Sequence, residues 1–229
     1  MNLAIVGYGK MGRLIEQLAP EYGFSVSLKL DEFNNARFEG VTAEGFRGVD
    51  AAVDFSIPDA AVENIERISA LGVNLVVGTT GWLDRLDRVK SIVEARGTGL
   101  VWSPNYSIGV NVFFRLVSEA ARLLANEPSY GAWAWEIHHA TKKDAPSGTL
   151  LKLVDEMKNA GYCRPIDAAA SRAGAHPGTH EIGFDSAADT IALRHTARSR
   201  EGFARGALKA AQWVVGKRGV YEFSEILFQ

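Results

Sequence analysis

The sequence predicts a two-part α/β protein, in which an N-terminal doubly wound parallel sheet precedes an α+β part with an open mixed sheet. Three observations lead to this prediction. Five short apolar runs alternate with mostly helical patterns in the first half. A glycine-rich loop follows the first run, and longer strand patterns begin after residue 110.

The strands of the first part are short apolar runs bounded by turn-forming or polar residues. They are predicted at residues 3–6, 25–30, 51–55, 74–77 and 99–102. A helix should begin near Lys10, because apolar residues recur at helical spacing from Met11 to Leu18. Pro58 opens a second helix, and a third follows the loop at residues 78–81. The connection between the second and third strands shows the weakest helical pattern.

The chain after residue 110 combines longer strands with three helices. The predicted elements are a helix at residues 110–126, a strand at 131–139, a helix after Pro146, strands at 180–184 and 190–196, and a helix at 204–215. We place the boundary within residues 104–109 and expect the last helix to return to the first part. Residues 1–105 with 204–229 are therefore the predicted dinucleotide-binding domain, and residues 106–203 the substrate-binding and oligomerisation domain.

Composition excludes several classes of protein. The chain has 229 residues, a net charge of −2 and one cysteine, Cys163, so it can form no intrachain disulfide and no cysteine-based zinc site. The slight acidity and the lack of a Lys/Arg run argue against nucleic-acid binding and a polybasic membrane anchor. No run approaches the roughly 18 apolar residues of a membrane span, and the N-terminus lacks signal-peptide features. We expect a soluble, cytoplasmic protein.

The glycine loop has the G-x-G-x-x-G pattern directly after a strand and at the start of a helix, which is the context that binds dinucleotides. Gly7 permits the tight turn, Gly9 lets the backbone approach a pyrophosphate, and Gly12 allows close helix packing. An acid, Asp31, ends the second strand and is placed to bind the adenosine ribose hydroxyls. The predicted cofactor-binding residues here are Gly7, Tyr8, Gly9, Lys10, Met11, Gly12 and Asp31. The alternative is a plain tight turn.

Charges beside the ribose indicate which nicotinamide cofactor is preferred. A 2′-phosphate requires Arg or Lys and is repelled by carboxylates, and both Asp31 and Glu32 oppose it. Lys10 and Lys29 offset this repulsion in part. The sequence therefore predicts a preference for NADH with residual use of NADPH.

The densest group of chemically active residues runs from Glu136 to Thr149. His138 and His139 can exchange protons near neutral pH, and Lys142 supplies a cation. The start of the following helix, Ser147 to Thr149, can seat a carboxylate with its backbone N–H groups. This combination predicts a pocket for a small anionic substrate that also requires proton transfer.

Other interpretations of these residues stay open. Adjacent strand residues face opposite sides, so only one of His138 and His139 should lie at the chemistry. His176, His180 and His195 are interpreted as solvated or structural, and Lys143 and Asp144 as surface charges or turn residues. We expect no metal, because cysteines and a suitably spaced carboxylate pair are both lacking.

The segment from Glu136 to Thr149 closely resembles the signature of the 4-hydroxy-tetrahydrodipicolinate reductase family, also called dihydrodipicolinate reductase. Its most specific part is His138-His139-x-x-Lys142-x-Asp144-Ala145-Pro146-Ser147-Gly148-Thr149. The resemblance extends to the glycine loop, Asp54-Phe55-Ser56-x-Pro58, Gly78-Thr79-Thr80-Gly81, Asn105-Tyr106-Ser107-Ile108-Gly109-Val110-Asn111 and Ser199-Arg200-x-x-Phe203. It therefore covers nearly the whole chain.

The resemblance implies roles for individual residues. His138 matches the catalytic acid/base and Lys142 a proton donor that also contacts substrate. The implied substrate-binding residues are His139, Ser147, Gly148 and Thr149. The further implied cofactor-binding residues are Phe55, Gly78, Thr79, Thr80, Ser103, Pro104, Asn105, Tyr106 and Arg200. Two departures are a glycine loop one residue shorter than usual and Glu32 where the family often has arginine, which supports NADH.

The family's reaction reduces a cyclic imine that carries two carboxylates, after loss of a hydroxyl as water, with hydride from a nicotinamide, in the diaminopimelate and lysine pathway. The resemblance also implies a homotetramer and a hinge closure between the two domains. Two alternatives stay open: a nicotinamide-dependent reductase of another cyclic imino or amino acid, and a non-catalytic dinucleotide sensor.

Overall fold

The computed structural model describes residues 1–229, which form two compact units. One unit contains residues 1–108 and 201–229, and the other contains residues 109–200. The ten strands, in chain order, are β1 (Asn2–Val6), β2 (Ser25–Leu30), β3 (Ala51–Asp54), β4 (Asn74–Val77), β5 (Gly99–Trp102), β6 (Gly131–His138), β7 (Ile166–Arg172), β8 (Thr179–Asp185), β9 (Thr190–Thr196) and β10 (Gly219–Glu222).

Seven α-helices connect or cover these strands. They are α1 (Lys10–Leu18), α2 (Pro58–Ala70), α3 (Leu86–Arg96), α4 (Ile108–Leu124), α5 (Gly148–Asn159), α6 (Glu201–Val214) and α7 (Phe223–Leu227). None of them combines the length and the apolar composition that a membrane-spanning helix requires. The α/β fold class predicted from the sequence is confirmed.

The sheet of the first unit is parallel throughout and has the strand order β10-β5-β4-β3-β1-β2. The order reverses beside β1, since β2 lies on one side of it and β3 on the other. In doubly wound sheets, ligands bind outside the carboxyl ends of the strands at such a reversal. The glycine loop follows β1 and therefore lies at this point.

Both faces of this sheet are covered by helices, which is why its strands are apolar along their whole length. Leu3 and Ile5 of β1 pack toward a layer that includes α1 and α6, while Ala4 and Val6 pack toward α2. Strand periodicity alternates the two sets of side chains between the two layers. The residues at 204–214 are part of the first of these cores, so the chain returns to this sheet after the second unit.

The second unit has a four-stranded mixed sheet with the order β7-β6-β8-β9. β6 is parallel to β7 and antiparallel to β8, and β8 is antiparallel to β9. Helices α4 and α5 cover one face, where Phe113, Leu150 and Leu153 pack with Ala134 and Ile182 of the sheet. The inner positions of β6 include Glu136 and His138, which brings two titratable side chains under the helices.

Three elements have no counterpart in the sequence-based prediction: β7, β10 and α7. β7 reads IDAAASR, in which alanine and polar residues replace the β-branched and aromatic residues typical of strands. β10 and α7 contain four and five residues, which is too short for a periodic signal. Both β7 and β10 are edge strands that become strands by pairing with a neighbour.

Candidate active site

The glycine loop of the first unit has the geometry that a dinucleotide requires. Gly7 has a φ of +88°, and a Cβ at this position would lie 2.3 Å from the carbonyl oxygen of Phe55. A Cβ at Gly12 would lie 2.6 Å from the oxygen of Gly7, so only glycine lets α1 approach the loop this closely. A Cβ at Gly9 would have no atom within 4 Å, which leaves its backbone accessible at the start of α1.

A cleft of about 660 Å³ opens beside this loop, which is large enough for the adenosine part of a dinucleotide. The backbone N–H groups of Gly7 and Tyr8 donate to the oxygen of Leu30 at 2.9 and 3.0 Å, which ties the loop to the end of β2. The next residue, Asp31, lines the cleft. The backbone at the start of α1 and the Asp31 carboxylate line the same cavity, in which they fit a pyrophosphate and a ribose.

The charges that line the cleft differ in part from those expected. Asp31, Glu32, Lys10 and Arg13 line it, whereas Lys29 does not. Lys29 instead forms an ion pair of 3.0 Å with Glu16, whose carboxylate also accepts a hydrogen bond from the hydroxyl of Tyr8. The positive charges that balance Asp31 and Glu32 in the cleft are therefore those of Lys10 and Arg13.

A buried carboxylate supports the second loop of the first unit. Asp54, at the end of β3, accepts hydrogen bonds from the Thr79 hydroxyl at 2.7 Å, from Ser56 and from the Asn64 amide at 2.9 Å. Burial raises the pKa of Asp54 in spite of these donors. A Cβ at Gly78 would lie 2.2 Å from the Phe55 ring, so glycine is required where this loop leaves β4. The buried Thr79 side chain thus fixes the loop to Asp54, whereas Thr80 is exposed.

The segment that follows β5, residues 103–106, is fixed by hydrogen bonds to its own backbone and to β4 and β5. The Tyr106 side chain is buried, and its hydroxyl lies 2.9 Å from the Val101 oxygen and 3.1 Å from the Val77 oxygen. The Ser103 hydroxyl bonds the backbone of Asn105. The Tyr106 hydroxyl therefore anchors the segment to β4 and β5. Pro104 and Arg200 are exposed.

In the second unit, the polar residues of the signature converge on Glu136, which is fully buried in β6. Its Oε1 accepts hydrogen bonds from the Ser147 backbone N–H at 2.9 Å and from Arg172 Nη2 at 2.8 Å. Its Oε2 accepts from the Ser147 hydroxyl and lies 3.2 Å from His180 Nε2. Burial opposes ionisation, but the bonds from Ser147 and Arg172 outweigh it and hold the pKa of Glu136 below its usual value.

His138 ends β6 and is also buried, on the same side of the strand as Glu136. Its Nδ1 lies 3.6 Å from Glu136 Oε2 and has no hydrogen-bond partner. Its ring meets that of His180 edge-on, with the centroids 5.0 Å apart. Desolvation lowers the pKa of His138 and the Glu136 carboxylate raises it, while Lys142 and Arg172 lower it further; the net shift is downward. Burial and the neighbouring His138 lower the pKa of His180 to about 4.

Lys142 lies in the turn after β6, where its Nζ is 2.7 Å from Asp144 Oδ1 and 2.9 Å from Oδ2. The hydrogen bond from Lys142 lowers the pKa of Asp144, and the backbone N–H of Gly148 contributes in the same direction. A single carboxylate can therefore meet both the ammonium and the start of α5. This pair of donors is suited to bind a carboxylate of a small ligand.

Two family profiles match the chain from end to end. The profile described as "Dihydrodipicolinate reductase, N-terminus" matches residues 1–106, and "Dihydrodipicolinate reductase, C-terminus" matches residues 109–227. The chain belongs to the dihydrodipicolinate reductase family. The family inferred from the sequence motifs is thereby confirmed, together with the expected class of a nicotinamide-dependent oxidoreductase of the diaminopimelate and lysine pathway.

Individual relatives agree with this membership. A protein of Christiangramia forsetii named 4-hydroxy-tetrahydrodipicolinate reductase is 35% identical over 240 residues, which cover 99% of this chain and 98% of the relative. One of Methanoregula boonei with the same name is 40% identical over 195 residues, covering 78% of this chain and 74% of the relative. A solved dipicolinate-bound dihydrodipicolinate reductase of Paenisporosarcina sp. shares the fold, with a TM-score of 0.83 at 20% identity and 99% coverage of both chains.

Within this dihydrodipicolinate reductase fold, the structure brings together some predicted substrate-site residues and separates others. His138, Lys142 and the first turn of α5 belong to one continuous segment that folds back on β6. Both the backbone N–H and the hydroxyl of Ser147 donate hydrogen bonds to Glu136. Ser147 therefore fixes the position of this buried carboxylate. His139 lies outside β6, with its Nδ1 2.7 Å from the Thr141 hydroxyl oxygen. Gly148 and Thr149 are the residues whose N–H groups start α5.

Sequence reasoning gave no role to three residues that surround His138: Glu136, Arg172 and His180. Glu136 was visible in the signature, two positions before His138, and strand periodicity places it on the same face. Arg172 and His180 lie on β7 and β8, and they reach the site through pairing with β6. No local pattern connects them to His138, because the contact depends on strand register.

Proposed function

We propose that this protein catalyses the NAD(P)H-dependent reduction of 4-hydroxy-tetrahydrodipicolinate to tetrahydrodipicolinate with loss of water, in the diaminopimelate and lysine pathway. The observation that carries this proposal is the placement of a buried imidazole, His138, beside Lys142 and the start of α5. That group combines proton transfer with carboxylate binding. The relatives named above carry the same activity in their names.

Substrate carboxylates are bound, in this proposal, by the Lys142 ammonium and by the N–H groups of Gly148 and Thr149. The first-turn N–H groups of a helix lack intrahelical partners and carry partial positive charge, so they favour an anion. Asp144 now holds Lys142, and a substrate carboxylate would replace it there. His139 is the further donor proposed for the substrate, and Ser147 acts indirectly by fixing the start of α5.

Proton transfer is assigned to His138, with Lys142 as a second donor that also contacts the substrate. When bound, the nicotinamide supplies the hydride. The negative charge that develops on the reduced substrate requires a proton, and a protonated imidazole or ammonium nearby lowers the barrier. The buried position of His138 keeps bulk water away from the atom that gives the proton.

The cofactor is assigned to the cleft beside the glycine loop, with Asp31 on the ribose and the amides at the start of α1 on the pyrophosphate. Phe55, Gly78, Thr79 and Thr80 form the loops proposed to place the nicotinamide. The segment Ser103 to Tyr106 is proposed to border it, and Arg200 is a further residue proposed to bind the cofactor. The open backbone at Gly9 and the tight contact at Gly78 support these assignments.

The reaction can be tested with purified protein by following loss of the near-ultraviolet absorbance of the reduced cofactor. The unstable substrate is made in place from pyruvate and aspartate semialdehyde by the preceding synthase. We expect rapid oxidation that depends on the synthase. A folded protein that binds NADH but oxidises neither cofactor would favour the sensor alternative, or a reductase of another imino acid.

The same assay measures cofactor preference, for which we expect a higher kcat/KM with NADH than with NADPH. Asp31 and Glu32 repel a 2′-phosphate, and only Lys10 and Arg13 oppose them in the cleft. Replacing Glu32 with arginine should move the ratio toward NADPH by about tenfold, which corresponds to about 1.4 kcal/mol. An unmodified enzyme at least tenfold more efficient with NADPH would contradict the assignment.

We also propose a homotetramer assembled through the outer face of the second sheet. Trp133, Trp135 and Ile137 point to this side of β6, opposite to the helices, and Trp133 lies directly over Gly183. Residues 167–170 of the neighbouring edge strand β7 are exposed. Light scattering should give the mass of four chains. A mass equal to one chain would refute the assembly. The proposed location is the cytoplasm.

A further inference from the structure

The most densely connected polar group in the molecule is the buried set around Glu136, and its geometry points to a role for this residue. We infer that Glu136 is the positioning residue of His138: its carboxylate holds the Nδ1 side of the imidazole, so that Nε2 exchanges the proton with substrate. The inference rests on the proposed acid/base role of His138.

The position of the two ring nitrogens supports this orientation. Nδ1 is buried without any hydrogen bond, and the acceptor in front of it is Glu136 Oε2 at 3.6 Å. A proton on Nδ1 would therefore face a carboxylate, and a small approach of the ring would complete the bond. On the other edge of the ring, a Cβ at residue 178 would lie 3.0 Å from both Nε2 and Cδ2, so glycine at this position keeps a side chain from crowding Nε2.

Glu136 is itself held rigidly by donors from three other segments. The backbone N–H and hydroxyl of Ser147 bind both of its oxygens, Arg172 binds Oε1, and His180 lies 3.2 Å from Oε2. A carboxylate fixed in this way can orient an imidazole and stabilise its protonated form, as the third member of a catalytic triad does. With Nδ1 held by Glu136, the proton is exchanged with substrate at Nε2 of His138.

A metal ion is the competing explanation for this set, because Glu136, His138 and His180 offer three ligand atoms within 4.8 Å of one another. Arg172 opposes it. Its guanidinium bonds the same carboxylate, and a divalent cation would have to displace or face this positive charge. The donors from Ser147 also occupy the oxygens that a metal would need. Positioning of His138 is thus the interpretation that the contacts favour.

The charges that face His138 predict how its titration responds to substitution. They are Glu136 on β6, Lys142 and Asp144 in the following turn, Arg172 on β7 and His180 on β8, with His195 on β9 behind His180. Of these, Glu136 and Asp144 raise the pKa of His138, whereas Lys142 and Arg172 lower it. Loss of the Glu136 charge should lower this pKa, and loss of the Arg172 charge should raise it.

The test compares Glu136→Gln, Glu136→Asp and Arg172→Gln with the unmodified protein, using Glu181→Gln on β8 as the matched control. We expect Glu136→Gln to lower kcat about tenfold or more at neutral pH, as a fraction of the acid/base contribution. The alkaline limb of kcat/KM should move toward acid in Glu136→Gln and toward alkali in Arg172→Gln. In Glu136→Asp the alkaline limb of kcat/KM should lie close to its position in the unmodified protein. Glu181→Gln should leave this limb unchanged.

An NMR titration of the ¹⁵N-labelled imidazoles measures the same effect without turnover, with His138→Gln used to assign the resonance. A lower pKa of His138 in Glu136→Gln and a higher one in Arg172→Gln support the inference. Identical His138 titrations in all variants overturn it, even when the protein is an active reductase. If the protein reduces no substrate but the pKa of His138 falls in Glu136→Gln and rises in Arg172→Gln, the proposed function fails and the positioning role stands. Should Glu136→Gln fail to fold, Arg172→Gln alone decides the direction.

Discussion

His138→Gln is expected to lower kcat by about 100-fold or more while NADH binding stays unchanged. Glutamine fills a similar volume but cannot deliver a proton, and acid/base groups typically contribute 10² to 10⁴ to the rate. The glycine loop and the cleft that are proposed to bind the cofactor belong to the other compact unit of the chain. The loss should therefore appear in the chemical step alone.

The measurement is a steady-state comparison of kcat, together with fluorescence titration of NADH and thermal melting of both proteins. His139→Gln provides the contrast, because its proposed role is substrate binding and its effect should lie mainly in KM. A His138→Gln protein that turns over at nearly the normal rate would remove His138 from the mechanism. A large loss of NADH binding would show that the substitution disturbs more than proton transfer.

Lys142→Ala is expected to have a comparable effect, a decrease in kcat of about 100-fold or more with a higher KM. The substitution removes a proton donor and a charge-assisted contact to a substrate carboxylate. Folding should be little affected, because the ion pair with Asp144 lies near the surface and such pairs contribute about 0 to 1 kcal/mol. The kinetic constants and the melting temperature test both statements.

The adjacent Lys143 gives a matched control for this experiment. It carries the same charge one residue away, and it is exposed. Lys143→Ala should retain the kinetic constants of the unmodified protein. Equal losses in the two variants would mean that the general positive charge of the turn matters rather than the Lys142 ammonium, which contradicts the assigned role.

The sequence predicted strands β1 to β5 of the first sheet because their signals are local, whereas it missed β10. Each of these five strands is a short apolar run, and two glycines of the loop have a spatial reason that residue type alone indicates. Gly7 needs a positive φ, and Gly12 needs the absence of a Cβ. β7 could not be predicted, since alanine and polar residues form a strand there only by pairing with β6. Edge strands depend on their neighbour more than on their own composition.

In the candidate site, the sequence predicted the candidate residues but not all of the contacts that their side chains make. Lys29 was expected to offset the acids at the ribose, yet it pairs with Glu16. Ser147 was expected on the substrate, yet its donors point to Glu136. In both cases a side chain had two partners within reach, and sequence spacing does not show which one is closer.

The amino-acid sequence by itself determined the fold class, the glycine loop, the signature around His138 and the family. These depend on residue type and on spacing within one segment, where the periodicity of helices and strands is a sufficient guide. Only the tertiary structure decided that Arg172 and His180 reach Glu136 and His138. They lie on β7 and β8, whose register with β6 is fixed by backbone hydrogen bonds between distant parts of the chain, so their proximity is a property of the folded sheet.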